Sequence, residues 1–133
     1  MKICVFTGGR AEYGLLKPLL KLLASDKDIT LQILVSGMHL CQEFGSTDKI
    51  IEEDGFCIDE KVEMILSSDT PVSICKSMGL GLISFSEDLA RLQPDTLVNL
   101  GDRFENFAVS SAAWTLRIPI AHIQGGEITA GAI

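Results

Sequence analysis

Four clusters of glycine and charge in this chain each sit directly behind a short apolar run, and that spacing constrains the fold more tightly than any other feature. GGRAEYG (Gly8 to Gly14) follows ICVFT, SGMHL (Ser36 to Leu40) follows TLQILV, GDRFE (Gly101 to Glu105) follows TLVNL, and QGGEIT (Gln124 to Thr129) follows IPIAHI. Apolar runs of about five residues alternating with helical patterns are the signature of parallel strands, whose carboxyl ends form the ligand-binding edge of an open α/β sheet. The four clusters are therefore expected on one edge. The last of them runs up to the end of the sequence at Ile133, which suggests half of a site.

At 133 residues the chain has the size of one domain. Hydrophobic residues make up 47% and charged residues 22%, ordinary values for a globular protein, and the apolar stretches are shorter than the ~18–20 residues that cross a bilayer. MKICVFTGG has one lysine and too short an apolar run for a secretory leader, so it is taken as the first strand. Cys4, Cys41, Cys57 and Cys75 show no C-x-x-C spacing, which argues against a disulfide framework or a metal site and for reduced thiols in the cytoplasm. The net charge of −7 disfavours nucleic acid, whose binding needs a basic footprint. An anionic small molecule remains compatible, held by backbone N–H groups together with Arg10 and Arg103.

Periodicity predicts strands at 3–7, 30–36, 96–100 and 118–123, an extended piece near 56–62, and helices over about 12–24, 40–53, 70–92 and 104–116. The leucines of the first helix suit packing on a sheet, and Pro18 is expected in its first turns, where a missing N–H costs least. Gly79 and Gly81 suggest a close approach or a kink within the long helix. The βαβα order with right-handed crossovers gives a doubly wound, Rossmann-like parallel sheet occupying residues 1–133 as one domain.

Each cluster has a chemical reading and a plainer one. GGRAEYG can present backbone N–H groups, a helix N-terminus and Arg10 to a phosphate, or can be a simple strand-to-helix turn; it lacks both the P-loop and the G-x-G-x-x-G pattern. His39 can point into the crevice or can be structural. Asp102 can be a positioned catalytic carboxylate or a helix cap, and Arg103 has Glu105, Glu127 or a ligand phosphate as candidate partners. Gly125 and Gly126 allow close backbone approach, Glu127 adds a second carboxylate, and His122 is expected to be a satisfied core residue.

Taken in order, G-x-R-A-E-Y-G-L-L, SGMHL followed by Phe44, Gly45 and Thr47, DGF (Asp54 to Phe56), PD-x-x-x-x-x-GDR-x-E and P-I-A-H-I-x-GGE-x-T-x-G closely resemble the hydrolysing UDP-N-acetylglucosamine 2-epimerases of sialic acid biosynthesis. The resemblance runs from Gly8 to Gly131. It implies the N-terminal half of a two-domain enzyme of GT-B type with its site in the interdomain cleft, where UDP is eliminated from UDP-GlcNAc to a 2-acetamidoglucal and water then gives N-acetylmannosamine. It also implies catalytic roles for Asp102, Gln124 and Glu127. Substrate contacts are implied for Gly8, Arg10, Ala11, Tyr13, His39, Arg103, Gly125 and Gly126. The UDP-sugar is substrate; no cofactor or metal is implied, and association of the full-length protein through the long helix is.

Two departures qualify this. Gln124 stands where many relatives have Glu and cannot accept a proton, and Gly8-Gly9-Arg10 replaces the usual G-T-R. Both suit a related substrate such as a UDP-linked diacetamido sugar on a legionaminic-type pathway. A further Asp, a second domain and another catalytic His are expected beyond residue 133, so the isolated chain is expected to turn over little or not at all. A nucleotide-sugar binding module and part of a glycosyltransferase are the alternatives; a dinucleotide oxidoreductase is disfavoured because no acidic residue closes the second strand.

Overall fold

The computed structural model describes residues 1–126 and Ala130. Its elements are β1 (Lys2–Thr7), α1 (Arg10–Ser25), β2 (Thr30–Ser36), α2 (Asp48–Glu53), β3 (Glu60–Val62), α3 (Pro71–Leu92), β4 (Thr96–Leu100), α4 (Phe104–Thr115) and β5 (Ile120–Ile123), with short 3₁₀ turns at Gly37–Leu40 and Gln42–Phe44. Five strands pair in the order β3-β2-β1-β4-β5, and every pairing is parallel. This is the doubly wound sheet that the alternation of runs and helices predicts.

Side chains alternate across each strand and so feed two cores. Ile3 and Val5 of β1, with Ile33, Val35 and Val98, meet Tyr13, Leu16 and Leu20 of α1 and Ile51 of α2. Cys4 and Phe6, with Leu34 and Leu97, meet Phe85 and Leu89 of α3 and Val109 and Ala112 of α4. Phe6 and Phe85 pack edge to face at 5.5 Å. Burial pushes the Cys4 thiol up to about 12, and all four cysteines are free.

Local chemistry sets the ends of α3. Thr70 is the N-cap and its side chain accepts from the Ser73 N–H, with Pro71 following, while Gln93 closes the helix in the left-handed region ahead of Pro94.

Four expectations need correction. The predicted helix over 40–53 is two 3₁₀ turns and a six-residue helix, because Gly45 (φ 85°) and Ser46 (φ 48°) turn the chain left-handed in its middle. Pro18 is the ninth residue of α1, well past its first turns; both it and Gly14, the residue four earlier, are solvent-exposed, so water can take the carbonyl that Pro18 leaves unbonded. Gly81 packs closely, since a Cβ there would lie 2.7 Å from Met64 Cε, but Gly79 has open space around it. His122 is exposed along with all of β5, an edge strand, and is no core residue.

Candidate functional site

The strand order places the site. β1 connects onward to β2 on one side and lies beside β4 on the other, so the chain reverses its winding there and the loops behind β1 and β4 border one crevice. Those loops carry Gly8, Gly9 and Arg10, and Gly101, Asp102 and Arg103. The end of β5 is pinned alongside: Gly101 N–H donates to the Ile123 carbonyl at 2.9 Å, and His122 Nε2 lies 2.6 Å from the Gly101 carbonyl.

Backbone and carboxylates lock the strand ends together. Gly8 donates its N–H to Glu12 Oε2 at 2.7 Å, and its carbonyl accepts from Met38 N–H at 2.8 Å. The other oxygen of Glu12 accepts from Asn106 Nδ2 at 3.1 Å, which ties the start of α1 to α4. Burial is the main cause that raises the Glu12 carboxyl above its usual range, opposed by the Gly8 and Asn106 hydrogen bonds. Glu105 has no exposed side-chain surface, and Arg103 grips it with Nε to Oε2 at 3.2 Å and Nη2 to Oε1 at 3.1 Å. Of the partners open to Arg103, Glu105 is engaged, and Glu127 lies outside the described residues.

His39 is a correction to the expectation that it lines the cleft. It is fully buried, held between Thr7 Oγ1 at 2.9 Å and Thr47 Oγ1 at 2.8 Å. Burial pulls its pKa down to about 4, so near neutrality it is an uncharged imidazole behind the crevice. Tyr13, expected at the substrate, is likewise buried; its hydroxyl donates to Asp54 Oδ2 at 2.6 Å.

Arg10, Ala11 and Asp102 are exposed at the crevice. Asp102 does not cap α4: the N-cap is Arg103, and no side-chain cap bond forms. Gln124 (φ 54°) and Gly126 (φ 83°) turn left-handed beyond β5, and a Cβ on Gly125 would lie 2.4 Å from His122 Nδ1. Glu127 lies outside the described residues. The carboxylates and amide that knit the frame, Glu12, Glu105 and Asn106, were not among the candidate site residues; the available signal was a Glu in the first turn of each of two helices that follow neighbouring strands.

A cavity of about 670 Å³ opens on the α3 and α4 side of the crevice, with Arg103 and Phe104 at one wall. Its inner lining includes half-buried Met38, Ile65 and Ile74, together with buried Ser77; exposed Gln42, Glu43 and Asp69 line its rim. Among the described residues no group of three His, Cys, Asp or Glu side chains could hold a metal ion, and no helix is long and apolar enough to cross a membrane.

Comparison with known proteins agrees with the fold. The chain is 45% identical over 99% of its length to the GDP/UDP-N,N'-diacetylbacillosamine 2-epimerase (hydrolyzing) of Campylobacter jejuni, of which it covers 34%. It is 40% identical over 95% of its length to the UDP-N,N'-diacetylbacillosamine 2-epimerase (hydrolyzing) of Legionella pneumophila, of which it covers 33%. The chain thus spans about a third of the length of these relatives. In fold it is similar to the UDP-GlcNAc 2-epimerase of Neisseria meningitidis solved with UDP-GlcNAc, with a TM-score of 0.81 and 22% identity over 98% of this chain and 34% of that one. In fold it also resembles MurG of Acinetobacter baumannii, with a TM-score of 0.62 and 16% identity over 92% of this chain and 33% of that one. A family model described as UDP-N-acetylglucosamine 2-epimerase matches residues 21–133, most of the chain, and the chain belongs to the UDP-N-acetylglucosamine 2-epimerase family.

Proposed function

We propose that this chain is the N-terminal, sugar-facing domain of a hydrolysing 2-epimerase acting on a UDP-linked 2-acetamido sugar. The observation that carries the reading is the crevice between β1 and β4, where Arg10 and Asp102 stand exposed on a frame fixed by Gly8, Glu12 and Asn106. In the reaction, the C2 proton is removed and the C1–O bond to the diphosphate breaks, leaving a 2-acetamidoglucal and UDP. Water then adds, its hydroxyl to C1 and a proton to C2 from the opposite face. Elimination and hydration exchange no electrons with a cofactor.

Asp102 is the residue we assign to the C2 proton, and Arg10, with the N-terminus of α1, to the leaving diphosphate, whose charge must be stabilised as the bond breaks. Gln124 hydrogen-bonds the sugar, Gly125 and Gly126 bring backbone close to it, and Glu127 supplies a second carboxylate. His39 acts from behind as a neutral support. The diacetamido form of the substrate is favoured over UDP-GlcNAc itself, because the relative at 45% identity and one of those at 40% carry diacetylbacillosamine in their names, while another at 40% is named for polysialic acid biosynthesis.

The test is proton NMR in D₂O of the complete gene product that contains this chain, incubated with UDP-GlcNAc, with a UDP-2,4-diacetamido sugar and with its GDP-linked counterpart. Release of the nucleoside diphosphate with deuterium at C2 of an inverted sugar is the expected outcome. Tight binding without deuterium exchange would replace the reading with a binding module, and transfer to an acceptor with C2 unchanged would replace it with a glycosyltransferase. Asp102→Asn is expected to lower kcat by roughly 10²–10⁴-fold.

A further inference from the structure

The lining of the cavity beside Arg103 includes none of the residues assigned above to the elimination, and it is selective. Arg103 faces it with its charge already matched by buried Glu105, while Glu43 and Asp69 stand at the rim. A phosphate would meet two carboxylates and a neutralised guanidinium there, so the diphosphate belongs at Arg10 instead. The interior mixes apolar surface with one buried donor. Ser77 is 3% exposed and accepts from the Leu66 N–H at 3.1 Å, which leaves its own O–H without an acceptor among the described hydrogen bonds. A buried hydroxyl proton beside half-buried Met38, Ile65 and Ile74 suits a group that offers a carbonyl and a methyl together.

We propose that this cavity is the specificity subsite for a second acylamino substituent on the sugar ring, with the Ser77 hydroxyl donating to the amide carbonyl and Met38, Ile65 and Ile74 enclosing the methyl. The proposal rests on the 2-epimerase reading and adds to it the place where a diacetamido sugar is told from a monoacetamido one. A hydroxyl in place of the amide would leave the methyl contacts with Met38, Ile65 and Ile74 unmade, and a loss of about one apolar group's contacts discriminates about tenfold to a hundredfold.

The experiment compares kcat/KM for a UDP-2,4-diacetamido sugar and for UDP-GlcNAc in the complete gene product, in wild type, in Ser77→Ala and in Ser68→Trp. Ser68 is an exposed residue of the cavity wall, so the second variant fills the space without disturbing the core and serves if Ser77→Ala fails to fold. The expected result is a wild-type preference for the diacetamido sugar of tenfold or more that either variant lowers at least tenfold. A wild type without preference, or a preference unchanged in the folded variants, overturns the subsite and leaves the 2-epimerase reading standing. A wild type that neither binds nor converts either sugar overturns both.

Discussion

A Cβ on Gly37 would lie 2.6 Å from the Gly8 carbonyl oxygen and 3.0 Å from Glu105 Oε1, at a φ of 65° that side chains rarely adopt. One absent methyl group thus lets the ends of β1, β2 and β4 close on each other. Gly37→Ala is expected to destabilise the fold by about 2 kcal/mol or more, read as a lower urea midpoint. Gly9 is the contrasting case. Its φ is −165° and a Cβ there meets nothing within 4 Å, so the Thr usual in G-T-R fits; Gly9→Thr is expected to fold normally and gain about 0.5 kcal/mol, seen as a small rise in Tm. His39 carries a pH signature. Its pKa is about 4 when folded against ~6.5 in an unfolded chain, so unfolding takes up a proton between those values and stability falls as pH drops through that window. The loss is up to about 3 kcal/mol by pH 4. Glu12, raised by burial, works in the opposite direction above the usual carboxylate pKa, so the check is the difference between wild type and His39→Gln in urea unfolding at pH 7 and pH 5. The variant should show the shallower slope.

At the scale of elements, what was legible depended on whether the deciding chemistry was local. Thr70, Pro71 and Pro94 bracket α3 in sequence as they do in space, and the helix runs as expected between them. Thr70→Ala is expected to lower stability by about 1 kcal/mol in a thermal melt, through loss of the bond to Ser73 N–H. The stretch from Leu40 to Glu53 misled because its apolar spacing fits a helix, while Gly45 and Ser46 adopt left-handed backbone that periodicity does not register. His122 misled for another reason: alternation along a strand implies an inward face, but β5 lies at the sheet edge with all four residues exposed. In the site, Glu105 was readable as a candidate partner of Arg103 but its engagement was not, since the pairing depends on α4 pressing Glu105 beneath Gly8 and Gly37.

For the molecule as a whole, Arg10 and Asp102 stand in water in this domain, where charges interact weakly and water is not excluded from the reacting centre. Residues 1–133 alone are therefore expected to release UDP at least a hundredfold more slowly than the complete gene product, measured by a coupled UDP assay. The sequence by itself determined the parallel α/β class and put every polar cluster at a strand's carboxyl end, because both follow from short-range periodicity and from glycine placement. Only the tertiary structure decided that β1 and β4 are neighbours, that His39 and Tyr13 lie behind the crevice, and that Glu12, Asn106 and Glu105 hold it. Those contacts join residues up to 94 positions apart, and their direction and burial are set by packing between helices, which no local pattern encodes.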